Sequence, residues 1–166
     1  LANETDRAFQ QLVDYFSQQE EPTILLMFGD HQPSVEQEFL DLAYGVRQED
    51  MTMEQYMGRF RVPFVLWANY DIEEDYIETT SLNYLSTLLV EKAGLPLSPW
   101  QNYLKNLSES YPAITANAWM DDEGKWHSNT AQNITGEKDG GNLNDYRILN
   151  YYHLFDGAHR DDRLFE

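Results

Sequence analysis

The sequence predicts an α/β fold on a mostly parallel sheet, with a β-hairpin and a helix following it. Three observations lead there. Helical stretches alternate with short apolar runs in the order helix, strand, helix, strand, helix. The run over residues 23–28 contains no charge and no polar alternation, as in a strand covered on both faces, and residues 62–68 read as a second strand. Ser, Thr, Gly and Pro punctuate the helical stretches at the positions where caps and stops belong. Two central strands make a thin sheet, so the chain reads as a single, incomplete domain over residues 1–166.

Composition supports a folded domain and excludes several functions. The chain has 166 residues, 42% of them hydrophobic and 14% aromatic, too apolar for disorder. It carries 11 Lys and Arg against 29 Asp and Glu, a formal charge of −18. Nucleic-acid binding needs clustered cations to displace phosphate counterions, and that excess of acid argues against it. The longest uncharged apolar run is about seven residues, against the ~20 that span a bilayer. Cysteine is absent, so disulfides, thiol catalysis and Cys-ligated zinc are excluded. Leu1-Ala2-Asn3-Glu4 has neither the basic nor the apolar part of a signal peptide. The missing initiator Met points to a segment of a longer chain.

The first helix is expected over residues 5–17. Ala8, Phe9, Leu12, Val13 and Phe16 form its apolar stripe, and Pro22 follows its end. The first strand, 23–28, stops at Gly29. Ser34 with Gln37 reads as a capping box opening a second helix that Gly45 ends, with Phe39, Leu40 and Ala43 facing inward. Residues 46–61 are polar and Met-rich, an excursion over the surface in which Thr52 and Gln55 cap a short helix. The second strand carries Pro63 at its start, where a missing N–H is tolerated. A third helix is expected over 81–93, with Leu82, Leu85, Leu88 and Leu89 on one face and Gly94 as stop. Ser98-Pro99 opens a fourth, which ends near Tyr111-Pro112. Asp121-Asp122-Glu123-Gly124 lies between two aromatic-rich runs, a hairpin signal. Residues 128–142 read as loop, and a last helix spans about 144–155.

The sharpest chemical feature is Gly29-Asp30-His31, at the C-terminal end of the first strand. Ligands bind at that end of open α/β sheets. A carboxylate and an imidazole make half of a site for Mn²⁺ or Zn²⁺, and a carboxylate also suits Mg²⁺. The residues alone leave two readings open: a pair of metal ligands, or a turn with a hydrogen-bonded Asp. His127 reads as an exposed hairpin residue, His153 as a locally packed helix residue, and His159 as part of a polar tail. The pairs Glu73-Glu74 and Asp121-Asp122 read as solvated loops. The four Trp residues read as core or sheet cover.

Four stretches taken together resemble a known family. They are Thr23-Ile24-Leu25-Leu26-Met27-Phe28-Gly29-Asp30-His31-Gln32-Pro33, Val62-Pro63-Phe64-Val65-Leu66-Trp67-Ala68-Asn69-Tyr70-Asp71, Thr80-Ser81-Leu82-Asn83-Tyr84-Leu85-Ser86 and Ala93-Gly94-Leu95-Pro96-Leu97-Ser98-Pro99. In order and spacing they resemble the C-terminal part of sulfatase-like enzymes of the lipoteichoic acid synthase and phosphoglycerol transferase type, in the alkaline phosphatase superfamily. The resemblance implies a partial three-layer α/β/α sandwich. It implies a parent anchored in the cell membrane with its catalytic domain outside the cell, of which this chain is a soluble portion. It also implies a Thr nucleophile, activated by a divalent metal, that takes phosphoglycerol from a lipid-linked donor. Mn²⁺ is the expected metal, with Mg²⁺ or Zn²⁺ as alternatives. Only the metal pair carries over, onto Asp30 and His31. The nucleophile and the remaining acidic ligand are expected upstream, and neither Thr5 nor Thr23 fits the nucleophile's motif. By itself the chain is therefore expected to be inactive. A homodimer through the exposed sheet edge is a further expectation. The alternative to an enzyme portion is a non-catalytic module, either binding cell-surface glycan through Trp and Tyr or purely structural.

Overall fold

A computed structural model describes residues 2–129 and 140–165. Helix α1 (Ala2–Phe16) leads into strand β1 (Ile24–Phe28), and two short helices follow, α2 (Gln37–Tyr44) and α3 (Met53–Gly58). Strand β2 (Phe64–Ala68) precedes α4 (Leu82–Lys92) and α5 (Pro99–Ser110). A meander of β3 (Ala113–Ile114), β4 (Ala118–Met120) and β5 (Trp126–Ser128) comes next, and α6 (Gly140–Phe155) closes the order. The predicted loop over 128–142 falls largely outside the described residues.

The α/β class and the C-terminal hairpin and helix are as expected, but the sheet direction is not. Strands β1 and β2 pair antiparallel, Ile24 opposite Ala68 and Phe28 opposite Phe64. The ladder extends at both ends, with Gly29 N donating to Pro63 O at 3.1 Å and Asn69 N to Thr23 O at 3.1 Å. An apolar run says which faces avoid water, not which way the chain runs. Here residues 29–63 leave and re-enter at the same end of the sheet, so no crossover forms. Helix α2 has no buried residue to pack as a crossover helix would. Both strands are largely half-buried, not sealed on two faces, with Phe28 and Val65 exposed.

Local capping follows the chemistry in three of four places. Thr52 with Gln55 and Ser98 with Gln101 each form a complete capping box. Gly45 caps α2 at φ 66°, a left-handed conformation that glycine adopts without strain. Ser34 does not cap: α2 starts later, behind Glu36, which makes no side-chain cap bond. This later start turns Phe39 and Leu42 outward and leaves Ala43 exposed, while Leu40 is half-buried.

The core divides over the two faces of the meander. On one side Tyr84, Leu104, Leu107, Tyr111, Trp119 and Leu143 pack together. On the other, Met57 joins Ala113, Ala118, Met120 and Trp126. Strand β4 supplies both clusters because successive side chains point to opposite faces. Met57 is 2% exposed, so the excursion over 46–61 contributes to the core instead of only crossing the surface. Burial drives the Tyr84 phenol well above its ordinary pKa, and its hydroxyl donates to Tyr111 O at 3.0 Å.

Asn69 ties the N-terminal helix to the ribbon. Its Oδ1 accepts from Thr23 N at 2.8 Å, and its Nδ2 donates to the carbonyls of Phe16, Gln19 and Glu21 at 3.0, 3.1 and 3.0 Å. One amide thus serves three carbonyls at and beyond the C-terminal end of α1, where the helix's own N–H donors run out.

Candidate functional site

The site is built where β1 stops. Gly29 lies so close to β2's approach that an added Cβ would fall 2.8 Å from Val62 Cβ, a distance that forces one segment to move. Glycine there lets the chain turn out of the ribbon while still hydrogen-bonded to Pro63. Gln32 fastens the far side of the turn, its Nε2 donating to Arg61 O.

Between these two anchors Asp30 and His31 converge. Asp30 Oδ1 accepts from His31 N at 2.8 Å, and its Oδ2 lies 3.4 Å from His31 Nε2. His31 Nδ1 is 2.9 Å from Gln32 O. A carbonyl only accepts, so Nδ1 carries the proton and donates. In the neutral ring that leaves the Nε2 lone pair facing the carboxylate. Two electron-pair donors facing each other is an arrangement that a cation between them relieves, and metal-ligating imidazoles characteristically donate their other N–H to a carbonyl. Both side chains are open to solvent, His31 at 77% and Asp30 at 83% exposure. The pair therefore fits a divalent cation as half of its ligand set. Among the described residues no group of three His, Cys, Asp or Glu completes one.

The other histidines lie elsewhere, each with its own partners. His153 stacks on Phe165 with centroids 4.0 Å apart and meets Trp100 edge-on, so it is packed as expected. His159 Nδ1 pairs with Asp156 at 2.7 Å in the exposed tail.

His127 departs from expectation. It is half-buried, stacked on Trp119 at 4.2 Å, with Nε2 2.5 Å from Asp121 Oδ2. Asp121 is no solvated loop residue either, since its Oδ1 also accepts from Glu123 N and Lys125 N at 3.1 and 2.8 Å. Desolvation pushes its carboxyl up, but the bonds from His127 and the two backbone amides outweigh it and hold the pKa below 3.8. A carboxyl depressed in the fold stabilises above its unfolded value, and that contribution is lost as pH falls through the folded value. We expect Asp121→Asn to lower stability at neutral pH by about 1 kcal/mol. It should also flatten the loss of near-ultraviolet Trp circular dichroism below about pH 4. An unchanged acid titration would show that this carboxylate does not lock the hairpin.

Residues 1–95 match the Sulfatase family. That span holds β1, the Asp30–His31 turn, β2 and α4. A protein of Rhizobium meliloti (strain 1021) named "Putative cyclic beta-1,2-glucan modification protein" is 24% identical over 166 residues. The alignment covers 98% of this chain and 26% of that protein, so the chain spans about a quarter of the relative's length. No solved structure matches the chain. A family match over more than half of the residues settles the assignment: this chain belongs to the sulfatase family of the alkaline phosphatase superfamily.

Proposed function

We propose that the chain forms part of the catalytic domain of a metal-dependent phosphoglycerol transferase, with Asp30 and His31 as two ligands of a divalent cation, preferably Mn²⁺. The convergence of these side chains on one point, with Nδ1 of His31 committed to a carbonyl, carries the reading. Sulfatase-family members generally use a divalent metal. A bound cation of this kind lowers the pKa of a hydroxyl nucleophile and neutralises charge on phosphoryl oxygens. Asp30 contributes the anionic ligand and His31 a neutral one, and Gly29 and Gln32 fix where the two meet. The donor in this proposal is a lipid-linked phosphoglycerol and the nucleophile a Thr outside residues 1–166. The acceptor, by analogy with the named relative, is a glucan hydroxyl. We place the parent enzyme in the cell membrane with this domain outside the cell. Among the described residues no helix is long and apolar enough to cross a bilayer.

The 166-residue chain alone is expected to bind Mn²⁺ weakly, with a dissociation constant of roughly a millimolar, because two ligands immobilise a cation poorly. It should show no phosphodiesterase turnover with added Mn²⁺. Titration of Mn²⁺ followed by water-proton relaxation, with Asp30→Asn as control, checks the first expectation. Turnover that depends on Asp30 would show that the chain holds a complete site and would overturn the half-site reading.

A further inference from the structure

A cleft unrelated to the Asp30–His31 turn runs along β2 and continues between α4 and α5. Its larger part, about 630 Å³, is walled by β2, the segment 70–77 and α4, within the range of roughly 300–1,000 Å³ typical of small-molecule sites. Its smaller part, about 250 Å³, shares Ile77 and Leu88 with the first. The two adjoin at these side chains.

The lining chemistry selects the ligand. Trp67, Tyr70 and Tyr76 supply aromatic surface, and Tyr76 is 86% exposed, held there without packing of its own. Asp71, Glu73, Glu74 and Asp75 make the larger part acidic. Its one lysine, Lys92, is engaged by Asp75 at 3.4 Å and Glu73 at 3.9 Å. In the smaller part Lys105 is paired with Glu91 at 2.5 Å. An anion would meet repulsion along this groove and no free cation among its described residues. A divalent cation would lack a suitable ligand group, since none of three or more exists among the described residues. A neutral ligand suits the mixed lining, with hydroxyl donors for the carboxylates and C–H faces for the rings. The smaller part adds the hydroxyl side chains of Thr79, Thr80, Thr87 and Ser108. Thr87 is 3% exposed, and its Oγ1 has no hydrogen-bond partner among the described residues. A buried hydroxyl left so is costly unless something else satisfies it.

We propose that this groove binds a neutral gluco-oligosaccharide, stacking sugar rings on Trp67 and Tyr76 and directing sugar hydroxyls to the acidic segment and the threonine-lined end. It deepens the reading of a glucan acceptor and rests on it for the identity of the sugar. The test titrates cyclic β-1,2-glucan into the 166-residue chain and follows Trp fluorescence and calorimetric heat, with inorganic phosphate as a second probe. Saturable glucan binding without phosphate binding is expected. Tyr76→Ala, on an exposed side chain that cannot disturb folding, should weaken binding roughly three- to tenfold. Thr87→Val should weaken it in the same direction with circular dichroism unchanged. Absence of saturable glucan binding, binding of phosphate instead, or an affinity indifferent to Tyr76→Ala would overturn the proposal. Asp30→Asn separates the two readings, because it should leave glucan affinity unaltered. Glucan binding alongside full transfer by Asp30→Asn enzyme would sink the metal-site reading alone. Loss of transfer in Asp30→Asn with no glucan binding to the wild type would sink the groove alone.

Discussion

If the chain belongs to a phosphoglycerol transferase, as proposed above, Asp30→Asn in the complete enzyme is expected to cut that transfer by roughly a thousandfold, about 4 kcal/mol of transition-state stabilisation. The substitution is chosen for what it keeps. An amide oxygen in place of Oδ1 still accepts from His31 N, so the turn that now closes at 2.8 Å stays closed. What disappears is the negative charge that, with the Nε2 lone pair, would make the pair a half-site for the proposed cation. His31→Ala removes the neutral ligand and should cost less than the charge but still more than tenfold. Transfer to glucan followed by ³¹P nuclear magnetic resonance, at several Mn²⁺ concentrations, measures both. Excess metal should partly rescue His31→Ala, since a weakened site refills by mass action. An Asp30→Asn enzyme retaining a tenth or more of its activity would remove Asp30 from the ligand set.

The second large effect lies far from that turn. Asn69→Asp is expected to destabilise the chain by about 3 kcal/mol, a large share of a typical domain's ~5–15 kcal/mol. The carboxylate keeps the acceptor for Thr23 N but turns an oxygen toward the carbonyls of Phe16, Gln19 and Glu21, where an amide now donates. Four oxygens then face one another with no proton between them. Asn69→Ala, which only deletes the bonds, should cost about half as much. Urea denaturation followed at 222 nm gives both values, and for a domain of this size 3 kcal/mol corresponds to a fall in Tm of about 6–12 °C. Equal midpoints for Asn69→Asp and Asn69→Ala would show that the amide's donation does not hold α1 to the ribbon.

How much of this was legible in the residues depended on range. Features set by neighbours in sequence came through: the glycine stops after α2 and α4, the helix caps at Thr52 and Ser98, and the hairpin around Gly124. So did the Asp30–His31 turn, because an apolar run ending in Gly-Asp-His is a local pattern. Features set by distant partners did not come through. The direction of β2 follows from the path of residues 29–63, which no period encodes. Strand β3 has two residues and exists only because Ala113 and Ile114 meet Met120 and Trp119. Met57 is buried by a sheet more than fifty residues away. Asn69 reads as one more polar residue after a strand until the carbonyls at the end of α1 stand around it. In sequence His127 reads as exposed because Asp121 reads as solvated turn, whereas each residue is what shelters the other.

Strand β4 carries a consequence for how the chain resists proteolysis. Trp119 belongs to one cluster, and its neighbours Ala118 and Met120 belong to the other. A single three-residue segment is the shared wall of both, so prising open either side pulls out the wall of its neighbour. Half-open forms of this region are therefore expected to be rare, with opening close to all-or-none. A quality-control protease that depends on partly unravelled chain would find little foothold between residues 84 and 128, and degradation would have to wait for whole-unit unfolding.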